Sequence, residues 1–126
     1  MKQKEFAKRK RELAKKGILG TFAAIIAIPI AMVLHELGHA LGTLLTGNIV
    51  HKIYLDFIHI SGYVVITVKN AKPYTMKVIL WSAYVLPALI FGTVLYYAYR
   101  IESTILIIFA IMGLFVTLRW LVIWGQ

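Results

Sequence analysis

The chain has 126 residues, 60% of them hydrophobic, and its fourteen Lys and Arg against five Asp and Glu give a formal net charge of +9. That length allows one domain at most, and a mean hydropathy of +0.80 lies above the range of soluble globular proteins. No cysteine is present, which excludes disulfides and thiolate metal sites; nucleic acid is set aside as a partner because no stacking platform or reading motif accompanies the basic charge.

Much of that charge sits at the start. Residues 1–16, MKQKEFAKRKRELAKK, hold eight basic and two acidic side chains directly ahead of a long apolar run. Beside a membrane span, such a block reads as a juxtamembrane segment, here residues 1–17, that meets anionic headgroups of the lipid bilayer on the cytoplasmic side. A cleaved signal peptide fits poorly, because the apolar run far exceeds a signal h-region and carries a metal-type motif. The segment is expected to be retained.

Three apolar stretches follow, residues 18–46, 78–99 and 103–124, each reaching or exceeding the ~20 residues that carry a helix across a bilayer core. Pro29 and Pro87 predict bends in the first and second. Tyr96, Tyr97 and Tyr99 beside Arg100, and Trp120 and Trp124, are expected as interfacial anchors, with Arg119 snorkelling to the interface. Between the first two stretches, IVHKIYLDFIHI and YVVITV are rich in β-branched and aromatic residues, with Ser61 and Gly62 between them and KNAKP after. This texture predicts a β-hairpin at about 49–70.

The predicted fold is therefore a mainly α membrane protein, residues 18–126, with about three transmembrane helices and a β-hairpin between the first and second. An N-terminus in the cytoplasm gathers the basic block and Arg100 on one side and leaves Lys52, Lys69, Lys72 and Lys77 on the other. That bias favours a multi-pass protein of the cell membrane with its N-terminus inside.

The first stretch contains MVLHELGHALGTLLTG, residues 32–47. His35 and His39 are four apart, so a helix projects both imidazoles from one face, one turn apart, where they can reach a single ion. Zinc accepts imidazole nitrogen, and a catalytic zinc keeps three protein ligands plus a position for water. Glu36 has the reach to act as general base on that water, whose pKa the metal lowers. This is the H-E-x-x-H pattern of zinc peptidases. Two ordinary histidines around a surface glutamate would be the plain alternative. In a membrane segment, however, a charge at mid-bilayer costs about 2.5–3.5 kcal/mol even on the permissive insertion scale, so such groups persist where they have a task. Ala24, Ala27, Ala31, His35, Gly38, Gly42 and Thr46 follow i+3 and i+4 steps, a small-residue stripe suited to close helix packing.

HELGHALGTLLTG (35–47), a hairpin with Gly62, and SAYVLPALIFG (82–92) together resemble the site-2 protease family of intramembrane zinc metalloproteases, especially its short M50B-like members. The resemblance covers roughly residues 20 to 95. It implies Zn2+ as cofactor, His35 and His39 as ligands, Glu36 as catalytic base, and a membrane-associated hairpin whose edge, Tyr63 to Val68, receives a membrane-protein or hydrophobic peptide substrate as an extended strand. The family's third ligand is normally an Asp on a later span, often followed by Gly. This chain has one aspartate, Asp56, in the hairpin, and no Asp-Gly pair. Glu102 and Asp56 are the candidates for a third ligand, with His51 and His59 behind them as solvated hairpin histidines.

His35 lies some 17 residues into the first stretch, ~26 Å along a straight helix, deeper than the family's zinc usually sits. A kink at Pro29, a tilted approach or reversed topology would each reconcile the two. The expected function is an intramembrane zinc metalloendopeptidase. The alternatives are a catalytically inactive member of the same fold acting as a membrane binding or regulatory protein, a fragment lacking the third zinc ligand, and a metal-handling transport component. The last gives Glu36 no role.

Overall fold

The structure, a computed structural model, describes residues 2–69 and 71–124, the last of these by its backbone alone. Its elements run α1 (Lys2–Leu45), β1 (Ile49–Asp56), β2 (Ser61–Thr67), α2 (Thr75–Arg100) and α3 (Thr104–Trp124). All three helices are long and apolar enough to cross a bilayer, and the antiparallel strand pair falls between the first and second, as the sequence predicts.

α1 is one unbroken helix of 44 residues that continues through Pro29, ~66 Å at 1.5 Å per residue. It is twice the length a bilayer core requires. The basic residues at its start are helical and exposed, so that block extends as a rod continuous with the apolar segment. From Ile18 onward large side chains such as Phe22, Ile25, Leu37 and Leu44 cover the outward faces, all exposed. A helix apolar all round is suited to lipid on its outer side.

Its inner face is the small-residue stripe. Ala27, Ala31, Gly38 and Gly42 are buried, and α2 opposes them with buried Ile79, Ala83, Pro87 and Phe91 spaced four apart. The approach is close enough to exclude a methyl group. A Cβ on Gly38 would overlap the Ser82 carbonyl oxygen and lie 2.6 Å from Ala83 Cα, and one on Gly42 would lie 2.9 Å from Ile79 Cα. α3 runs beside both helices: Gly20 of α1 meets Ile108, and the Phe91 ring of α2 occupies the space above Gly113. Phe91 also packs on Phe109 with ring centroids 5.5 Å apart.

Both long helices end in the same way. After α1 the Asn48 amide donates to the Thr43 carbonyl, the Gly47 amide to Leu44, and Gly47 has φ 76°. After α2 the Ser103 amide donates to Ala98, the Glu102 amide to Tyr99, and Glu102 has φ 55°. These paired bonds with a left-handed residue between them satisfy carbonyls the helix leaves open. Asn48 then anchors the base of the hairpin, accepting from the Lys69 amide at 2.8 Å.

The hairpin reverses direction earlier than the sequence suggests. Asp56 ends β1, residues 57–60 turn, and Ser61 and Gly62 already pair with Asp56 and Leu55 inside the ladder. The cause is the Asp56 carboxylate, which accepts from the Ile58 and His59 amides at 3.0 and 3.2 Å. Such an aspartate supplies its own turn. Tyr54 and Tyr63 stack across the strands at 5.0 Å. The exposed Tyr96, Tyr97 and Tyr99 cluster beside Arg100, which lies over the Tyr96 ring. Arg119 is exposed, and the Trp124 side chain lies outside the described residues.

Gly38→Ala is expected to lower stability by about 1–3 kcal/mol, the usual cost of overpacking, whereas Gly17→Ala, with nothing within 4 Å of its added Cβ, should be neutral or stabilising. Thermal unfolding in detergent micelles, read by circular dichroism, checks the pair.

Candidate metal centre

α1, α2, α3 and β2 enclose a cleft of about 580 Å³. Met32, His35, Glu36 and His39 of α1 line it, facing Gly62, Val64 and Ile66 of β2, Tyr84 of α2 and Trp120 of α3. His35 stands ten residues before the end of α1, ~15 Å along the helix. The cleft is thus near the end of the bundle that carries the hairpin.

The i,i+4 spacing acts as the sequence predicts. The His35 and His39 rings lie 4.8 Å apart between centroids and are almost perpendicular, at 89°. His39 Nδ1–H donates to the Ile79 carbonyl at 3.1 Å. Because a carbonyl can only accept, this bond assigns the proton to Nδ1 and leaves the Nε2 lone pair free. His35 is held by aromatic neighbours, Tyr84 at 5.2 Å and Trp120 at 5.4 Å, both edge-to-face. Its Nδ1 is buried without a hydrogen bond of ordinary geometry.

Glu36 is 6% exposed and has no hydrogen bond or ion pair among the described residues. Its carboxylate oxygens are unpartnered yet open to the cleft, where a ligand or a water molecule can reach them. β2 is fitted around it: a Cβ on Gly62 would lie 3.1 Å from Glu36 Cγ and 2.7 Å from the Tyr54 carbonyl oxygen. Glycine is what lets the strand lie directly across the glutamate.

The other candidates are elsewhere. Asp56 is committed to its own turn, with the His59 ring donating to its second oxygen at 2.7 Å. That bond holds the Asp56 carboxyl below its usual value of 3.8. Glu102 is the left-handed residue closing α2, eighteen residues before Trp120 and so ~27 Å along α3 from the cleft. His51 bonds across the hairpin to the Thr67 hydroxyl. The described residues contain no group of three or more His, Asp or Glu side chains placed to share one ion.

A family model described as Peptidase M50B-like matches residues 18–124. The chain belongs to the peptidase M50B-like family. The match spans all three apolar stretches and the hairpin, and it bears out the resemblance to site-2 proteases carried by HELGHALGTLLTG. Neither the curated proteins nor the solved structures compared yield a match to this chain.

Family members generally use zinc, and the donor chemistry here fits such an ion at two positions: two adjacent imidazoles, one with its tautomer fixed and one with an orphaned buried nitrogen. The places of three residues in the cleft escaped the sequence reading. Trp120 packs edge-to-face on His35, Tyr84 flanks the same ring, and Gly62 accommodates Glu36. An aromatic residue late in an apolar stretch looks the same in sequence whether it faces headgroups or a neighbouring helix; only packing separates the two.

Asp56→Ala is expected to speed amide hydrogen exchange at Ile58 and His59 while leaving zinc affinity unchanged, and Glu102→Gln to change neither. Since the folded Asp56 carboxyl is depressed, its contribution to the turn is present above pH 3.8 and is lost as pH falls through the lowered value. Protection of those two amides, taken relative to the intrinsic exchange rate at each pH, should fall over that range in the wild type and be flat in Asp56→Ala.

Proposed function

We propose that this chain is an intramembrane zinc metallopeptidase that hydrolyses peptide bonds of membrane-spanning substrates. The observation that carries the reading is the Glu36 carboxylate, unpaired and facing the cleft, beside two imidazoles whose rings meet there. The family match supports the reaction class, and three long apolar helices support a place in the bilayer. The balance of Lys and Arg supports an N-terminus facing the cytoplasm.

His35 and His39 hold zinc in this reading, and the ion supplies Lewis acidity toward water and a carbonyl oxygen. Glu36 takes the proton from the attacking water and hands it to the amide nitrogen as the C–N bond breaks, so one carboxylate serves as base and then as acid. A substrate helix hides its carbonyls in intrahelical hydrogen bonds and must be unwound before water reaches them. The free edge of β2, whose residues Ser61 to Val64 and Ile66 border the cleft, offers main-chain partners to a segment held extended. The apolar side chains beside it, Val64, Ile66 and Ile79, suit hydrophobic substrate residues.

A second reading follows from the donor set. Two imidazoles are short of the three protein ligands of a catalytic zinc. A non-catalytic member of the family, using the cleft and strand edge to bind or regulate another membrane protein, would need no third ligand.

Purified protein should carry zinc that is lost in His35→Ala. Glu36→Gln should retain zinc and lower cleavage of a co-expressed single-span substrate by roughly 10²–10⁴-fold, the scale of general acid–base catalysis. Equal processing by wild type and Glu36→Gln would contradict the peptidase reading and favour the binding one.

A further inference from the structure

We infer that Pro87 is a positioning residue for His35: by removing one helix amide it frees the Ala83 carbonyl to accept from His35 Nδ1–H. The inference deepens the proposed reading of His35 as a zinc ligand and rests on it for its functional meaning.

In an α-helix the amide of residue 87 donates to the carbonyl of residue 83. Proline has no N–H, and Pro87 lies within α2. The Ala83 carbonyl therefore lacks its regular donor. Ala83 is wholly buried and Pro87 is fully enclosed, so water does not replace it. Buried backbone carbonyls find a partner in nearly every native structure.

A donor without an acceptor sits opposite. His35 Nδ1 is buried with no hydrogen-bond partner, and the packing that sets His39 on the Ile79 carbonyl and Gly38 against Ser82 and Ala83 brings the Ala83 rung to the His35 side of α2. The neighbouring rung shows the completed arrangement: one turn along, His39 Nδ1–H donates to the Ile79 carbonyl. His35 and His39 are four apart on α1, Ala83 and Ile79 four apart on the antiparallel α2. Gly38, between the histidines, lets the backbones touch at Ser82 and Ala83. The two rungs differ in one respect: Ile79 also has the Ala83 amide as helical donor, and Ala83 has none. Each orphan on this rung is what the other lacks.

The consequence is a tautomer. With the proton fixed on Nδ1, the lone pair of His35 stays on Nε2, the same choice the Ile79 carbonyl makes for His39. Backbone carbonyls behind metal-binding histidines commonly do this, and their loss typically weakens metal binding 10–100-fold. Pro87→Ala restores an amide that competes for the Ala83 carbonyl.

The test uses the full chain in micelles, labelled with ¹⁵N-histidine and observed with and without zinc. In wild type, His35 should carry its proton on Nδ1, slow to exchange with water. Pro87→Ala should mix the His35 tautomers and weaken zinc 10–100-fold, while His39 keeps its Nδ1 proton. His35 found as the Nε2–H form in wild type overturns the inference without any variant. So does a Pro87→Ala protein in which both histidines change together, which marks a general distortion of α2, or in which neither changes. Absence of zinc binding in wild type, with the His35 tautomer still set by Pro87, would contradict the peptidase reading and leave this inference standing.

Discussion

The backbones of α1 and α2 touch at Gly38 and Gly42, and the geometry of the cleft depends on that contact. Helices in lipid gain little from hydrophobic exclusion, because the surrounding chains are as apolar as their side chains. Dispersion contacts and interhelical hydrogen bonds must hold them together, and both fall off within an ångström or so of extra separation. A stripe without large side chains closes that distance, and the His39 ring then reaches the Ile79 carbonyl. The same bond that ties the helices also fixes which imidazole nitrogen is free. Packing and chemistry are thus set by one contact, and any side chain larger than hydrogen at Gly38 acts on both.

The hairpin depends on that frame. α1 ends in a left-handed cap at Gly47, Asn48 bonds to the returning strand, and β2 is thereby laid across Glu36 with Gly62 at the crossing. In the proposed function, this closeness of strand and glutamate is what would bring a bound extended peptide near the carboxylate. Proximity of this kind converts a bimolecular hydrolysis into one within a complex. Aromatic rings of α2 and α3 pack on the His35 imidazole opposite β2.

Much of this was legible in the chain. Helices of this apolar length cannot be hidden, and H-E-x-x-H fixes its own face because the helical period places residues 35 and 39 together. The small-residue stripe likewise announces a buried side. The turn was misplaced at Ser61 and Gly62, since glycine is the usual signal and here it serves contact with Glu36, while Asp56 makes the turn through its carboxylate. The contact of Trp120 with His35 was not legible, because depth, not rotation about α3, is what a linear sequence conveys. The partner of His35 was not legible at all: a proline in an apolar stretch signals a bend, and the carbonyl it releases has meaning only once α1 is known to cross at that rung.

In the proposed function the two imidazoles share one divalent ion. X-ray absorption at the zinc edge of loaded full-length protein tests it directly. Two imidazole nitrogens at ~2.0–2.1 Å, with the remaining coordination from oxygen, and loss of the imidazole multiple-scattering signal in the His35→Ala, His39→Ala double variant is the result expected. Zinc held with no imidazole in its first shell, or an unchanged spectrum in that double variant, would contradict it.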